Sequence, residues 1–305
     1  MSNEKILTFG SSRLSLSLLV SAQSSGSFRI GDGYETTLGG RGETTAIAIA
    51  KLGGKSVFCG RCGDDSGGKR LVRLLDASGV DLSCFHVDKS QQTGFLVTTI
   101  VSGQVSDRLL FPGADDIFLP EEVREAFLSS PDAVCLSGEL PVRMQQYVGE
   151  LCAERGIPLF YNFTSTAVLP ETLPTLEVFS TDEAATVKMT GIRPAGAESC
   201  LQAVIEMQKQ VKATYYVIRL GERGAFVYNG TYCHMVNSYI VKQVDSRGAD
   251  DVFFGAMVLE YLRVGNDILP ACAYAAAASA LTVSRVGEAA SVPDADEVLN
   301  FLEKN

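Results

Sequence analysis

Short apolar segments alternate with longer amphipathic ones along the chain, and this alternation constrains the fold more than any other feature. Segments such as KILTFG (5–10) and AVCLSG (133–138) have the character of buried strands, whereas ETTAIAIAKLG (43–53) and VRMQQYVGELCAERG (142–156) have that of helices. SVFCGRCG (56–63) is predicted to be one further strand. Such an alternation is typical of a parallel sheet with helices on both faces. We therefore predict an α/β fold, a three-layer αβα sandwich with a mostly parallel central sheet.

Two stretches, at about residues 14–38 and 94–111, interrupt this alternation with strands that have no helix between them. Their apolar residues recur at every second position, which favours antiparallel strands with one solvated face. We expect these stretches to form a small β-sheet lid. Because no Pro-rich linker or repeat separates them from the rest, residues 1–305 are predicted to form a single domain.

The charge balance narrows the classes of partner. The chain has 305 residues, a formal net charge of -10 and no cluster of Lys and Arg, so we predict no nucleic-acid partner. Its eight cysteines are scattered as buried thiols are in a reducing compartment, which predicts a cytoplasmic protein. The pair Cys59 and Cys62 lacks the further ligands that zinc needs. The apolar stretches are too short to cross a bilayer, so no membrane partner is expected.

VDSRGADDVFF (244–254) contains the first candidate site. A loop there leads into a helix that is apolar on almost every face and is therefore predicted to be buried. The N-terminus of a helix presents unpaired N–H groups and a partial positive charge, so Gly248, Ala249 and Asp250 could bind an anion such as a phosphate, with Asp251 beside it. The alternative is that Asp250 or Asp251 only caps the helix.

Two other glycine-rich turns follow predicted strands. LGGRGETTAIAIAKLGG (38–54) opens a helix, and RLGERGAFV (219–227) frames a turn with Gly221 and Gly224 that would let a nucleotide approach the backbone closely. The segment LTFGSSR (7–13) after the first strand lacks the G-x-G-x-x-G turn of dinucleotide-binding proteins. A nicotinamide-dependent oxidoreductase is therefore disfavoured.

Taken in order, the motifs resemble those of one family, the ribokinase-like (PfkB) carbohydrate kinases. The motifs are LGGRG (38–42), CGDDSGG (62–68), PGAD (112–115), LSGE (136–139), STDEAATVKMTG (180–191), LGERG (220–224), DSRGADD (245–251) and SRVGEAASVP (284–293). The resemblance runs from about residue 5 to the C-terminus. It implies an αβα sandwich with a β-sheet lid and an enzyme that moves the γ-phosphate of ATP to a hydroxyl of a small sugar.

The resemblance also implies roles for individual residues. Asp251 would be the general base, and Gly248, Ala249 and Asp250 would form the anion hole. The ATP-binding positions are Asp182, Arg219, Gly221, Glu222 and Gly224. The substrate-binding positions are Arg13, Ser15, Gly39, Gly40, Arg41, Thr44 and Glu139.

Cofactors and assembly are further implications of the resemblance. Glu183 lies in the magnesium-associated motif of the family, which implies ATP with Mg²⁺. Asp245, Arg247, Gly287 and Ser291 match the loop that holds a monovalent cation in members that use K⁺. The lid is a candidate surface for a homodimer, because relatives often pair through it.

The chain departs from the family pattern at several positions. Asp250 replaces the glycine before the catalytic aspartate. The repulsion between its carboxylate and a phosphate charge would be about 4 kcal/mol at 4 Å and an effective dielectric of about 20, unless the Asp250 side chain turns away or Arg247 compensates its charge. Ser15 replaces an aspartate that grips sugar hydroxyls, Arg13 and Thr44 stand where asparagine is common, and Ala185 replaces a glutamate. The acceptor could be a ribose-like sugar or a sugar acid similar to 2-keto-3-deoxygluconate, and a cationic Arg13 and Arg41 could suit the acid. The alternative is a catalytically impaired relative that binds a small ligand without turnover.

Overall fold

A computed structural model describes residues 4–21, 30–102, 104–117, 119–287 and 290–305. Three predicted features fall partly outside these residues: positions 22–29 of the first lid stretch, position 103 of the second lid stretch and positions 288–289 of SRVGEAASVP. The strands are β1 Lys5–Phe9, β2 Arg13–Val20, β3 Gly33–Leu38, β4 Lys55–Cys59, β5 Arg61–Gly63, β6 His86–Asp88, β7 Gly94–Val101, β8 Gln104–Phe111, β9 Ala133–Ser137, β10 Leu159–Phe163, β11 Leu176–Asp182, β12 Ala213–Arg219, β13 Ala225–Tyr228 and β14 Cys233–Val236. The helices are α1 Arg41–Lys51, α2 Ser66–Ala77, α3 Pro120–Ala126, α4 Val142–Arg155, α5 Glu183–Thr190, α6 Ala197–Met207, α7 Ala249–Arg263, α8 Ile268–Val283 and α9 Ala295–Leu302.

The central sheet has the strand order β14-β13-β12-β11-β10-β9-β1-β4. All neighbours from β12 to β4 pair in parallel, and β13 and β14 add an antiparallel edge. Successive strand residues face opposite layers, as the pleat requires. Ile6 packs into a core shared with α1, α7 and α8, whereas Leu7 packs into a second core shared with α4 and α6. The predicted three-layer αβα sandwich is therefore confirmed.

The second sheet contains the strands of the two stretches predicted as a lid. Its order is β3-β2-β7-β8, with β2 and β7 parallel and the two outer pairs antiparallel. The strand β2 follows β1 after only three residues, at 10–12, so Arg13 begins the lid where the central sheet ends. This connection places the lid beside the carboxyl ends of the central strands.

The prediction of one strand over 56–63 is wrong. Lys55–Cys59 pairs with β1 in the central sheet, whereas Arg61–Gly63 pairs with β6 in a separate two-stranded sheet. Gly60 lies at the break, where a Cβ would come within 2.7 Å of the Phe58 ring. The segment is buried on both sides of this break, so its pattern as a buried strand could not reveal the change of partner.

Backbone contact between Gly10 and Gly42 joins the end of β1 to the first turn of α1. A Cβ on either glycine would lie 2.4 Å from the Cα of the other, a distance that no side chain tolerates. The glycines therefore allow α1 to begin against the end of β1. This contact fixes the position of the turn that precedes α1.

The helix α7 is buried along most of its length, as predicted. It begins after Gly248, whose φ of 76° lies in the left-handed region that favours glycine. Asp251, in its first turn, is only 5% exposed. Within the described residues, no helix has the length and apolar character needed to cross a bilayer.

Candidate active site

The candidate site residues come together at the carboxyl edge of the central sheet. Arg13 follows β1, Glu139 follows β9, Asp182 ends β11, Arg219 ends β12, and α7 begins beside them. Parallel strands bring their carboxyl ends to one edge, which is where open α/β sheets bind ligands. The fold thus gathers residues that are more than 200 positions apart in the sequence.

Asp251 occupies the centre of this edge. Its Oδ1 accepts a hydrogen bond from Asn162 Nδ2 at 3.1 Å and lies 3.4 Å from Arg41 Nη1. Burial raises the pKa of Asp251 to about 6, although Arg41 opposes the shift, and the nearby Asp250 and Glu139 add to it. A carboxylate that titrates near neutral pH is suited to accept a proton from a hydroxyl group.

Asp250 is paired with Arg219 and not with Arg247. Arg219 Nε lies 3.2 Å from Asp250 Oδ1, and the Asp250 side chain remains 46% exposed. Arg247 pairs with Asp245 and Glu35 instead, so of the two ways considered for relieving the charge of Asp250, compensation by Arg247 is not the one found. The reason is geometric: β12 ends beside α7 and delivers Arg219 directly to Asp250.

Arg219 and Asn162 connect Asp250 to Asp251. Arg219 Nη2 donates to Asn162 Oδ1 at 3.0 Å, and Nη1 donates to Ser180 Oγ. A guanidinium only donates hydrogen bonds, so the amide oxygen of Asn162 faces Arg219 and the amide nitrogen faces Asp251. One continuous network therefore reaches from the exposed Asp250 to the buried Asp251.

A cleft lies beside the first turn of α7, where Asp250 and Phe253 line it. Gly221 and Gly224, with φ of 58° and 84°, form the turn along its wall. A Cβ on Gly224 would lie 1.9 Å from the Val236 carbonyl oxygen, so only glycine fits there. Glu222 is exposed on the turn. The lining residues are Arg219, Gly221, Gly224, Ser238, Asp250, Phe253, Ala276 and Ser279.

Asp182 and Glu183 lie at the start of α5, next to the end of β12, whose Arg219 lines the cleft. Asp182 Oδ1 caps the helix by accepting from Ala185 N at 2.6 Å, and in the sheet Asp182 is the register partner of Arg219. Glu183 forms an ion pair of 2.7 Å with Arg223. No group of three or more metal-ligating side chains converges within the described residues. Mg²⁺ binds through one or two carboxylates plus substrate phosphates, so these residues fit an ion that arrives with a nucleotide.

A buried ion-pair cluster occupies the sheet edge between Asp251 and the lid. Arg13 Nε binds Asp115 Oδ2 at 2.5 Å, and its Nη1 lies 3.4 Å from Glu139 Oε2. Ser11 Oγ donates to the other oxygen of Glu139 and accepts from Arg41 N at 3.2 Å. Burial raises the pKa of Asp115, and Arg13 opposes this shift. The charge of Arg13 is thus already balanced by two carboxylates.

The remaining predicted substrate residues border this cluster. Gly39 N donates to the Arg13 carbonyl at 2.9 Å, and Gly40 N donates to Glu43 Oε1 at 2.8 Å. Ser15 is buried in the lid strand β2. The Thr44 hydroxyl is buried and has no hydrogen-bond partner among the described residues. An unpaired buried hydroxyl is costly, so Thr44 is a candidate for contact with a polar ligand.

The predicted monovalent-cation loop is held by an arginine. The Asp245 carboxylate accepts from Arg247 Nη2 at 2.7 Å, Arg247 Nε at 3.0 Å and Gly287 N at 3.2 Å. Burial would raise the pKa of Asp245, but these hydrogen bonds hold it below its usual value. Ser291 N donates to the Gly287 carbonyl at 3.1 Å. Because the guanidinium of Arg247 already occupies the carboxylate, these residues do not fit a bound K⁺.

Sequence reasoning missed several residues of this site, among them Asn162, Ser180 and Asp115. Asn162 and Ser180 are polar side chains inside the largely buried strands LFYNF and LEVFSTD, and both are fully or almost fully buried. A polar residue near the carboxyl end of a buried strand is the signal that could have identified them. Asp115 belongs to the PGAD motif, to which no role was given.

The arrangement combines features that suit transfer of a charged group. A helix N-terminus faces a cleft with a glycine-rich wall, and a buried carboxylate beside it faces a polar cluster under the lid sheet. Phosphoryl transfer requires positioning and charge neutralisation more than covalent chemistry, and these elements supply both. Fold and site together define an α/β phosphotransferase.

Comparison with known proteins identifies the family. The family model described as pfkB family carbohydrate kinase matches residues 3–295. Ribokinase of Haemophilus influenzae is 25% identical over 276 residues, which cover 90% of this chain and 90% of that protein. Fructokinase-1 of Zea mays is 25% identical over 285 residues, 87% of this chain and 88% of that protein. The chain belongs to the PfkB family of carbohydrate kinases, which confirms the family resemblance and the kinase class predicted from the motifs.

Solved structures have the same fold. Ribokinase of Arabidopsis thaliana, complexed with ribose and ATP, superposes with a TM-score of 0.85 at 24% identity and covers 99% of both chains. Ribokinase of Giardia lamblia gives a TM-score of 0.84 at 21% identity, with 100% of this chain and 99% of that one covered. A ribokinase II-like protein of E. coli, in complex with ATP and Mg²⁺, gives 0.79 at 19% identity and covers 99% and 100%.

Proposed function

We propose that this protein transfers the γ-phosphoryl group of ATP to a hydroxyl of a small sugar, with Asp251 as the general base. The observation that carries the proposal is the position of Asp251. It is buried in the first turn of α7, between the cleft lined by Gly221 and Gly224 and the polar cluster under the lid. A hydroxyl that reaches Asp251 would lie next to a phosphate bound in the cleft.

The proposed reaction divides the work among residues of this chain. Asp251 accepts the proton of the attacking hydroxyl, while backbone N–H groups of Gly248, Ala249 and Asp250 bind the phosphoryl oxygens. Asp182 and Glu183 are the carboxylates proposed to bind Mg²⁺, which would neutralise the phosphate charges when it binds with ATP. The lid sheet would exclude water from the acceptor and so limit hydrolysis of ATP.

We propose a neutral, ribose-like sugar as the acceptor. Arg13 is neutralised by Asp115 and Glu139, so it has no remaining charge to offer a sugar carboxylate. The Arg41 side chain is 31% exposed and lies 3.4 Å from Asp251, which keeps a sugar acid as the second candidate. The relatives named ribokinase and fructokinase support a neutral sugar.

Several further features belong to this proposal. We infer that residues 1–305 act as one kinase domain, supported by one family match over 3–295. A cytoplasmic location is supported by the eight cysteines, all of which are free thiols.

A homodimer through the lid is supported by exposed apolar side chains on its strands, including Tyr34 at 76% and Phe111 at 54% exposure. Because Arg247 holds Asp245, the proposed enzyme does not require K⁺.

The experiment that tests the proposal measures sugar-dependent release of ADP from ATP and Mg²⁺. The acceptors are a panel of neutral pentoses and hexoses together with sugar acids, and Asp251→Asn is the control. We expect turnover with a neutral sugar and its loss in the variant. Nucleotide binding without turnover on any acceptor would favour the alternative, a catalytically impaired relative.

A further inference from the structure

Asp250 places a negatively charged carboxylate beside the proposed phosphate site, where it would repel the phosphate. Its side chain is 46% exposed and lines the cleft at the first turn of α7. An unpaired negative charge there would repel the phosphates of a nucleotide and oppose the field of the helix N-terminus. A chain with this aspartate needs a positive charge close by if the cleft is to accept a polyphosphate.

Arg219 supplies that charge from inside the protein. Its side chain is 3% exposed, and each of its three guanidinium nitrogens is engaged. Nε contacts Asp250 Oδ1 at 3.2 Å, Nη2 donates to Asn162 Oδ1 at 3.0 Å, and Nη1 donates to Ser180 Oγ. A guanidinium fixed on three sides is poorly placed to turn towards a ligand.

We propose that Arg219 acts as an internal counter-charge for Asp250, so that the two residues form one neutral unit and the N-terminus of α7 can bind phosphate. Arg219 is therefore a positioning residue that acts through Asp250, and it does not itself grip the nucleotide. The inference rests on the proposed function, because it assigns the cleft to a polyphosphate.

The proposal predicts a specific pattern of coupling between two substitutions. Arg219→Met leaves Asp250 unpaired in the cleft, and it should weaken the binding of ADP by about 30-fold or more, as loss of one partner of a close charge pair does. Asp250→Asn removes the side-chain charge that needs compensation and keeps the backbone N–H of this position, so it serves as the background in which the effect of Arg219→Met should disappear. The double variant should bind within about threefold of Asp250→Asn alone.

The measurement is calorimetric titration of the full-length protein with ADP, which requires no sugar and no turnover. KM for ATP and kcat are then measured for the same four proteins, and the charge effect should fall mainly on KM. Thermal unfolding of each protein in the absence of ligand checks that Arg219→Met still folds. If it does not, Arg219→Gln replaces it in the same cycle, because glutamine removes the charge but keeps a hydrogen-bond donor, and the same loss and the same rescue are expected.

A matched control uses an ion pair far from the cleft. Lys209 and Glu206 form an exposed pair of 2.7 Å at the end of α6. The substitutions Lys209→Met and Glu206→Gln, alone and together, should leave ADP affinity unchanged.

The outcomes separate this inference from the proposed function. Rescue of Arg219→Met by Asp250→Asn supports the counter-charge. If Arg219→Met weakens ADP binding equally in both backgrounds, or not at all, while the wild type binds ADP, the counter-charge is wrong and the proposed function stands. If the wild type does not bind ADP, the proposed function fails and this inference fails with it.

Discussion

Asn162 donates a hydrogen bond from Nδ2 to Oδ1 of Asp251 at 3.1 Å, from the end of one buried strand to the first turn of α7. The contact holds one carboxylate oxygen, so the carboxylate is oriented before any acceptor arrives. A hydrogen bond to the ionised form of a carboxylate stabilises that form. Asn162 therefore favours the state in which Asp251 can accept a proton, against the burial that disfavours it.

The rate of phosphoryl transfer should depend on pH through Asp251. Burial raises the pKa of this group to about 6, so kcat should fall about tenfold per pH unit below that value and be level above it. Asn162→Ala should move the inflection to higher pH, because the ionised form loses a donor. The check is kcat measured from pH 4.5 to 8.5 with saturating ATP and sugar. A flat profile across pH 5 to 8 would contradict the assignment of Asp251 as the base.

Asp251→Asn should trade activity for stability. Loss of a general base typically lowers kcat by about 10²–10⁴-fold. Because the pKa of Asp251 is higher in the folded state than in the unfolded state, its ionisation weakens folding as pH rises from about 4 through about 6. The variant should therefore be more stable than wild type at pH 7.5, on the order of 3 kcal/mol, and the difference should shrink towards pH 4. Urea unfolding at both pH values measures it, and a less stable variant at pH 7.5 would oppose the account.

The chain should show no stimulation by K⁺. Arg247 donates to Asp245 and pairs with Glu35 of the lid strand β3 at 2.9 Å, so its guanidinium already fills the position of a cation. Activity in KCl should equal that in choline chloride at matched ionic strength. Arg247→Ser should lose activity and melt at a lower temperature, and KCl should restore part of both. Strong activation of the wild type by KCl would contradict this prediction, because it would mean that K⁺ displaces the Arg247 guanidinium from Asp245.

Removing one partner of the buried pair between Arg13 and Asp115 should be strongly destabilising. Their side chains are 7% and 1% exposed, so Asp115→Asn leaves a buried guanidinium with only the more distant Glu139 to balance it. We expect a loss of about 3 kcal/mol in the free energy of unfolding. Lys209→Met, at an exposed pair, should change it by less than about 1 kcal/mol. Urea denaturation compares the two, and equal small losses would mean that the pair contributes little.

Gly42→Ala should disturb the start of α1. The added Cβ would lie 2.4 Å from Gly10 Cα, and overpacking of this kind costs about 1–3 kcal/mol. Gly196→Ala is the matched control, because a Cβ there meets no atom within 4 Å and its φ of -161° suits any residue. Thermal unfolding should separate the two variants. Comparable melting temperatures would show that β1 and α1 can move apart.

The architecture could be predicted from the sequence because its apolar residues recur at regular, clearly recognisable spacings. The strand–helix alternation, the strand-only stretches of the lid and the buried helix after Gly248 all follow from spacing and apolar runs. The break at Gly60 was missed, because a change of strand partner leaves no mark on hydrophobicity. Strand boundaries within apolar runs depend on tertiary pairing, which a single sequence does not contain.

The site was predictable where a motif marks it and unpredictable where the fold creates it. Asp251 and the glycine-rich turns stand in recognisable local patterns. Arg219, by contrast, is predicted from the motif to bind ATP. Its pairing with Asp250 depends on the end of β12 lying beside α7, which the sequence does not show. Asn162 meets Asp251 from a strand 89 positions earlier, a contact that sequence spacing cannot reveal.

The most direct test of the central claim is ³¹P NMR of a reaction containing the protein, ATP, Mg²⁺ and the sugar that best stimulates ADP release. The account predicts one new phosphomonoester resonance that grows as the γ-phosphate signal declines, and no such resonance with a folded Asp251→Asn variant. Loss of the γ-phosphate to inorganic phosphate alone, or equal formation of the sugar phosphate by the variant, would contradict the claim that Asp251 directs phosphoryl transfer to a sugar.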